Sequence, residues 1–266
     1  MAIVFDGRAF AAEKEEVLKG RIFGLKARGV HPKLASIIIG SDPASVLYVG
    51  LKKKAAERIG AELDIYKIPE NTKLEDLLLL ISSLNTDDTV YGIMIQMPLP
   101  EKLEEKRDTI INLISPDKDV DGLRPDSDYL HPTSKAVIDI IHAAEKELKI
   151  VKLGTTCVVG ATGMVGIPLV RELEEEGYTV IKCNTKTADL QGQSLQADIL
   201  VSVTGIQGII KADMVKKGAI VVDVGSPKGD VNYYEVERKA AFITPVPGGV
   251  GPVTISCLLE NLISAC

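Results

Sequence analysis

The sequence predicts an α/β protein folded as two α/β domains flanking a cleft. Three observations predict it. Short β-branched apolar runs alternate with helical periodicity along the chain. The alternation starts a second series near residue 155, after a helical stretch that links the halves. At 266 residues the chain can bury two modest cores, and its composition is that of a globular protein with few aromatics.

The elements follow in order. Leu34–Ile39 is a strand-like run closed by Gly40, and a helix begins near Pro43, with Asp42 suited to cap it and Pro43 to open it. Leu47, Leu51, Ala55 and Ile59 recur every four residues and predict the core face of that helix, which Gly60 ends. A strand at Glu62–Ile68, a helix at Thr72–Leu84, a strand at Tyr91–Ile95 and a helix at Leu103–Ser115 come next. Residues 116–132 are turn-rich, and Ser134–Glu147 is helical. The second series reads strand Thr155–Val159, helix Met164–Glu176, then strands Tyr178–Cys183, Ile199–Val203 and Ala219–Val224. It closes on an amphipathic helix, Pro252–Ile263.

Bulk properties exclude several classes. A formal net charge of −6 speaks against a nucleic-acid binder. No apolar run is long enough for a membrane span, and the N-terminus meets Asp6 too soon for a signal peptide. The four cysteines form no CxxC pair, and Cys157 and Cys183 sit in apolar runs, which predicts buried thiols. A cytoplasmic protein without a metal site is expected.

The strand Thr155–Val159 runs into Gly160-Ala161-Thr162-Gly163-Met164-Val165-Gly166 and then a helix. Such a turn either closes a packing bend or presents backbone N–H groups to a pyrophosphate at a helix N-terminus. The strand–turn–helix–strand setting favours the second, a Rossmann-type dinucleotide-binding domain. NAD binders usually carry an acidic residue at the end of the next strand. This chain has Cys183-Asn184-Thr185-Lys186-Thr187 instead, where a hydroxyl and a lysine suit a 2′-phosphate. NADP is therefore expected over NAD, although Lys186 reads equally as a solvated turn residue.

Tyr48 and Lys52 share a face of the helix after the first strand. A lysine becomes a proton-transfer group when burial lowers its pKa, and a tyrosine can stack on a flat ligand. Lys52 also opens the run Lys52-Lys53-Lys54, which reads as a solvated face. Gln96 follows a strand at its carboxyl end, where open α/β sheets place ligands, or else satisfies its own loop. The two carboxylates of Lys118-Asp119-Val120-Asp121-Gly122 read first as turn caps.

Together these segments resemble the bifunctional methylenetetrahydrofolate dehydrogenase/cyclohydrolase (FolD) family. The resemblance is carried by Asp42-Pro43-Ala44-Ser45 with Tyr48 and Lys52, by Gly92 to Pro100, and by Lys118 to Gly122. It continues through Val158-Val159-Gly160, Ala219 to Gly225 and Gly229-Asp230-Val231, and ends on Thr244 to Thr254. It implies oxidation of methylene-tetrahydrofolate with NADP and hydrolysis of the methenyl product to formyl-tetrahydrofolate, in a homodimer. Lys52 would be the central proton-transfer residue, Tyr48 would pack on the folate rings, Gln96 would tune Lys52, and Asp121 would accept from the pterin. Ser45, Pro247, Gly248 and Gly249 would border the substrate. Gly160, Ala161, Thr162, Thr185, Lys186, Ser226 and Thr254 would border the dinucleotide. Residues 1–132, completed by helix 252–266, would form the folate domain and residues 133–251 the dinucleotide domain.

The chain departs from the family's pattern in places. The usual Gly-Arg-Ser of the dinucleotide turn is Gly160-Ala161-Thr162, the usual His-Ser is Asn184-Thr185, and the common Pro-Cys-Thr-Pro is His131-Pro132-Thr133-Ser134. The loss of the arginine weakens the argument for NADP. A monofunctional dehydrogenase or cyclohydrolase, and a non-catalytic dinucleotide- or folate-binding module, are the competing readings. Intact Tyr48, Lys52, Gln96 and Asp121 speak against the module.

Overall fold

The computed structural model describes residues 2–150 and 154–266. In chain order the elements are β1 (Ile3–Val4), α1 (Gly7–Lys26), β2 (Lys33–Ile39), α2 (Pro43–Ile59), β3 (Glu62–Ile68), α3 (Leu74–Asn85) and β4 (Gly92–Ile95). There follow α4 (Glu101–Glu104), α5 (Arg107–Leu113), α6 (Pro132–Leu148), β5 (Thr155–Val159), α7 (Gly166–Glu175), β6 (Thr179–Cys183) and α8 (Leu190–Ser194). The last are β7 (Ile199–Ser202), β8 (Ile220–Asp223), α9 (Tyr233–Val236), β9 (Phe242–Ile243) and α10 (Val250–Ser264).

The chain forms two compact units, Met1–Ala12 with Thr133–Thr254, and Glu13–Pro132 with Ile255–Cys266. The first twelve residues cluster with the larger sheet rather than with residues 13–132, because β1 pairs with β9, Ile3 opposite Phe242 and Val4 opposite Ile243.

The smaller unit carries a three-stranded parallel sheet in the order β3-β2-β4. Its central strand β2 is buried on both faces, which is why it reads as an unbroken apolar run. Alternation along the strands splits the core. Leu34 and Met94 pack with Ala55, Ile59, Leu258 and Leu262, whereas Ile37, Ile93 and Ile95 pack with Leu77, Ile81 and Ile110. The start of α2 is capped as the sequence predicts: the Asp42 side chain accepts from the Ser45 N–H at 2.7 Å, and Gly60 ends the helix at φ 87°.

The core face of α2 is not the predicted one. Leu47 and Leu51 are 63% and 42% exposed, and the buried side is Ser45, Val49, Lys52, Ala55, Ala56 and Ile59. A residue every four positions drifts about 40° per step around a helix of 3.6 residues per turn. The Leu47-to-Ile59 series therefore spirals from solvent into the core, while alternating steps of three and four hold one face. The predicted helix Leu103–Ser115 is likewise two short helices, α4 and α5.

The larger unit carries a six-stranded sheet, β1-β9-β8-β7-β5-β6, parallel throughout. From β5 the chain steps outward to β6, and from β7 it steps the other way to β8 and β9. The order thus reverses between β5 and β7, the Rossmann-type switch point at which such sheets bind ligands. Beneath it Cys157 and Cys183 are buried free thiols with their Sγ atoms 3.7 Å apart.

Gly166 opens α7 against the glycine turn, and a Cβ there would collide with the Gly160 carbonyl and lie 2.8 Å from Ala161 Cα. Gly166→Ala is expected to lower stability by about 1–3 kcal/mol, the usual cost of overpacking, read as a lower urea midpoint at unchanged slope.

Candidate active site

Lys52 lies on the buried side of α2, although Lys54, two residues on, is exposed. Met94 on β4 and Gln96 just beyond it share a strand parity, so both turn toward the sheet face that α2 covers. Lys52 Nζ donates to Gln96 Oε1 at 3.1 Å and reaches Met94 Sδ at 3.7 Å. Gln96 Nε2 in turn donates to the Met97 carbonyl at 2.8 Å, which holds the amide oxygen toward the lysine. Burial pushes the Lys52 pKa below its ordinary value, and the Asp121 carboxylate partly restores it. An amide oxygen and a thioether are poor substitutes for water around an ammonium, so this lysine is suited to exchanging its proton. The solvated-face reading of Lys52 is set aside by its burial. Tyr48, one turn earlier on α2, is half-buried.

The segment Lys118–Gly122 separates its tasks residue by residue. Lys118 Nζ donates to the carbonyls of Leu84, Asn85 and Asp87 at 3.2, 2.9 and 2.8 Å, closing the end of α3. Asp119 is the turn carboxylate. Its Oδ2 accepts from the Arg124 N–H at 2.8 Å, and burial lifts its pKa from 3.8 to about 6. Asp121 instead acts on Lys52 through its charge. Gly122 stands at φ 60°, and a Cβ there would lie 2.7 Å from His131 N and 3.0 Å from His131 Cα. The close approach brings His131 beside Asp121. Asn261 on α10 fixes the pair of segments by donating to the Val120 carbonyl at 2.9 Å and the Leu130 carbonyl at 3.0 Å.

His131 is the residue of this cluster that sequence reasoning passed over. It is buried, burial lowers its pKa, Asp121 raises it and Lys52 lowers it again. The sequence signal was present as the departure from Pro-Cys-Thr-Pro, but no spacing showed that the imidazole faces Asp121 and Lys52. Ser45 is buried on the same helix as Lys52, with its N–H engaged by the Asp42 cap.

In the larger unit, the turn after β5 leads to the switch point. Gly160 takes φ 97°, and a Cβ there would lie 2.8 Å from the Val203 carbonyl at the exit of β7. The N–H groups of Gly160 and Ala161 both donate to the Cys183 carbonyl, at 2.9 and 3.0 Å, and Gly163 donates to the Gly160 carbonyl at 3.0 Å. Among the described residues no backbone carbonyl takes up the N–H groups of Thr162 and Met164. Gly163 meets nothing closer than 3.4 Å where its Cβ would be, and Thr162 is exposed. The exposed amides, the glycine cradle and the start of α7 fit a pyrophosphate.

After β6, Asn184 Oδ1 accepts from the Lys186 N–H and Thr187 Oγ1 from the Asn184 N–H, each at 2.9 Å. This turn leaves the Thr185 and Lys186 side chains exposed. The nearby Asp189 is engaged by the Gly192 N–H at 2.8 Å as a helix cap. The end of β6 thus offers cationic and hydroxyl groups and no uncommitted carboxylate. Ser226 lies exposed on the loop after β8. Gly248 turns at φ 102°, Gly249 donates to the Pro245 carbonyl at 2.9 Å, and Pro247 is exposed. Gly7, at the start of α1, abuts this loop so closely that a Cβ would lie 2.7 Å from the Gly248 carbonyl. Thr254 Oγ1 donates to the Val250 carbonyl within α10 at 3.3 Å. The structure therefore gathers Lys52, Gln96, Asp121 and His131 in the smaller unit. The residues expected at the dinucleotide, and Pro247–Gly249, lie in the larger one.

Comparison with known proteins agrees with both halves. Residues 5–121 match the tetrahydrofolate dehydrogenase/cyclohydrolase catalytic domain and residues 131–266 the NAD(P)-binding domain of the same family. The chain belongs to this tetrahydrofolate dehydrogenase/cyclohydrolase family. A bifunctional protein FolD of Exiguobacterium sp. is 43% identical over 99% of this chain and 98% of its own. The crystal structure of the bifunctional enzyme FolD, a methylenetetrahydrofolate dehydrogenase/cyclohydrolase from Campylobacter jejuni, matches with a TM-score of 0.93 at 38% identity. That match covers 100% of this chain and 98% of the other. The Trypanosoma brucei FolD structure, complexed with NADP cofactor and inhibitor, matches with a TM-score of 0.92 at 32% identity, covering 99% and 97%. No helix among the described residues is long and apolar enough to cross a membrane.

The raised Asp119 pKa predicts a pH slope. The folded protein holds this proton up to about pH 6, whereas the unfolded chain releases it near 3.8. The folded state therefore binds more protons in that window, and stability falls as pH rises through it. Against Asp119→Asn, which has no such proton, the native protein is expected to lose up to about 2 kcal/mol of stability between pH 4 and pH 7. Urea midpoints measured for both proteins across that range check it.

Proposed function

We propose that the protein oxidises 5,10-methylenetetrahydrofolate to the 5,10-methenyl form with NADP and hydrolyses that product to 10-formyltetrahydrofolate, in one-carbon metabolism. The observation that carries this reading is the buried Lys52 ammonium with Gln96 Oε1 at 3.1 Å and Asp121 within its field. The full-length match to bifunctional FolD relatives supports the same assignment.

Each residue then has a task. Asp121 accepts hydrogen bonds from the pterin N–H groups, which suits an ionised acceptor. Tyr48 packs on the folate rings and Ser45 borders them, and the family resemblance suggests Pro247, Gly248 and Gly249 as further substrate-bordering positions. NADP, when bound, supplies the hydride acceptor. Lys52 moves protons during hydration of the methenyl carbon and opening of the ring, because burial lowers its pKa and so eases release of its proton. Gln96 keeps the lysine nitrogen aimed by accepting from it. Gly160, Ala161, Thr162, Ser226 and Thr254 border the dinucleotide, and Thr185 and Lys186 suit the 2′-phosphate; the complex of the Trypanosoma relative with NADP supports the choice of cofactor. The family resemblance suggests a homodimer, and a net charge of −6 speaks against nucleic acid as a partner.

Absorbance of methenyl-tetrahydrofolate tests the whole reading. Its appearance from methylene-tetrahydrofolate with NADP, followed by enzyme-accelerated decay, is the expected result, and absence of both overturns it. Lys52→Met is expected to lower the decay rate by about 10²-fold or more. Full cyclohydrolase turnover in that variant would refute the role of Lys52. Lys186→Ala is expected to raise KM for NADP about tenfold while leaving KM for NAD within about twofold, the pattern of one lost charge-assisted bond to a phosphate.

A further inference from the structure

Asp230 is fully buried on the connection from β8 to α9, outside the groups assigned above. Its Oδ2 accepts four hydrogen bonds: from Ser202 Oγ at 2.8 Å, Thr204 N at 2.7 Å, Thr204 Oγ1 at 2.8 Å and Gly205 N at 3.3 Å. All four donors belong to the end of β7 or to the loop it feeds. Asp230 is itself held by a second buried carboxylate at the end of β8. Asp223 Oδ1 accepts from the N–H groups of Gly225 and Asp230, each at 2.9 Å, and its Oδ2 from that of Val231 at 3.0 Å. Thr244 Oγ1, beyond β9, accepts from the Asp223 N–H at 2.8 Å. Gly229 lies so close to Asp223 Oδ2 that a Cβ would collide with it.

A chain of contacts thus runs from the exit of β9 through Asp223 and Asp230 to the exit of β7, and from there to the glycine turn. Val203, inside the loop that Asp230 holds, presents the carbonyl against which Gly160 packs. These two loops flank the β5/β7 switch point, where an open α/β sheet places its ligand. Burying two acids within each other's field is costly, and an apolar pair would pack a sheet edge more cheaply. A carboxylate oxygen with four convergent donors does what an apolar group cannot: it fixes the backbone of a turn from behind.

We infer that Asp230 is a positioning residue of the dinucleotide site, holding the Thr204–Gly205 loop against the Gly160 turn and so setting the crevice the dinucleotide enters. This rests on the NADP reading above. Because the bonds converge on one oxygen, Asp230→Asn can keep them with its amide oxygen, whereas Asp230→Ala loses all four.

The test measures KM and Kd for NADP in the wild type and both variants, beside cyclohydrolase turnover of supplied methenyl-tetrahydrofolate, which consumes no dinucleotide. Asp230→Ala is expected to raise KM and Kd for NADP about tenfold or more, with cyclohydrolase within about twofold, and Asp230→Asn to stay within about threefold. Unchanged NADP affinity in Asp230→Ala overturns the inference. If Asp230→Ala loses both activities by misfolding, Thr204→Val, which removes a single donor, decides. A rise in KM for NADP alone upholds the inference, and parallel loss of both activities or no change overturns it. Wild-type protein that turns over methenyl-tetrahydrofolate but binds no NADP overturns the dinucleotide reading first, and this inference with it.

Discussion

An ammonium ion taken out of water carries a penalty of several kcal/mol, and the smaller unit is arranged around one. Lys52 occupies a position on α2 that elsewhere on the same face is filled by Val49, Ala56 and Ile59. Its nitrogen is met by one amide oxygen and one sulfur, both from the end of β4, with a carboxylate acting on it through space. Each of those partners is fixed by something else: Gln96 by the Met97 carbonyl, Met94 by the core, Asp121 by the turn that Lys118 and Asp119 build. The site is the place where several independent constraints on α2, β4 and the turn after α5 meet. Burial outweighs what the Asp121 charge returns, and the lysine's pKa stays below its ordinary value.

The two units divide the labour without dividing the chain. The backbone passes between them within α1, at the start of α6, and within α10, so neither is a continuous stretch of sequence. Each nevertheless has its own parallel sheet and its own apolar cluster. The lysine cluster takes its geometry from the first, and the glycine turn takes its geometry from the second, where the exits of neighbouring strands are tied to one another by buried carboxylates. The geometry of the lysine cluster and that of the glycine turn therefore each rest on a core of their own.

Much of this was legible because parallel strands buried on both faces leave an unmistakable mark. β2 and β5 coincide with their apolar runs to within a residue, and Asp42-Pro43 and Gly60 bound α2 by chemistry that acts within one turn. What was not legible depended on contacts far apart in sequence or on marks too short to register. β1 and β9 are two residues each, and their pairing joins residues 3–4 to residues 242–243. α1 went unread because its apolar residues do not keep to one face: Phe23 and Val17 are 78% and 67% exposed. The Leu47 and Leu51 spacing satisfied a helical template while lying on the wrong side. His131 is placed by Asn261, which sits well over a hundred residues away on the returning helix.

The turn from Lys118 to Gly122 shows why structural and catalytic readings of one motif need not compete. In five residues Lys118 closes a helix, Asp119 organises the loop, Val120 enters the core, Asp121 faces the lysine and Gly122 allows His131 to come close. The cautious view of an aspartate in a turn, that it caps backbone N–H groups, is correct for Asp119. Asp121 instead turns its charge on Lys52 and His131. Neither could be assigned from composition, because the two residues are identical and two positions apart. What separates them is that the side chains of a tight turn point in different directions, so a turn rigid enough to aim one carboxylate commits the other to building the turn. The rigidity of Asp119 is thus the means by which Asp121 is aimed, and the motif reads as one device rather than as five separate residues.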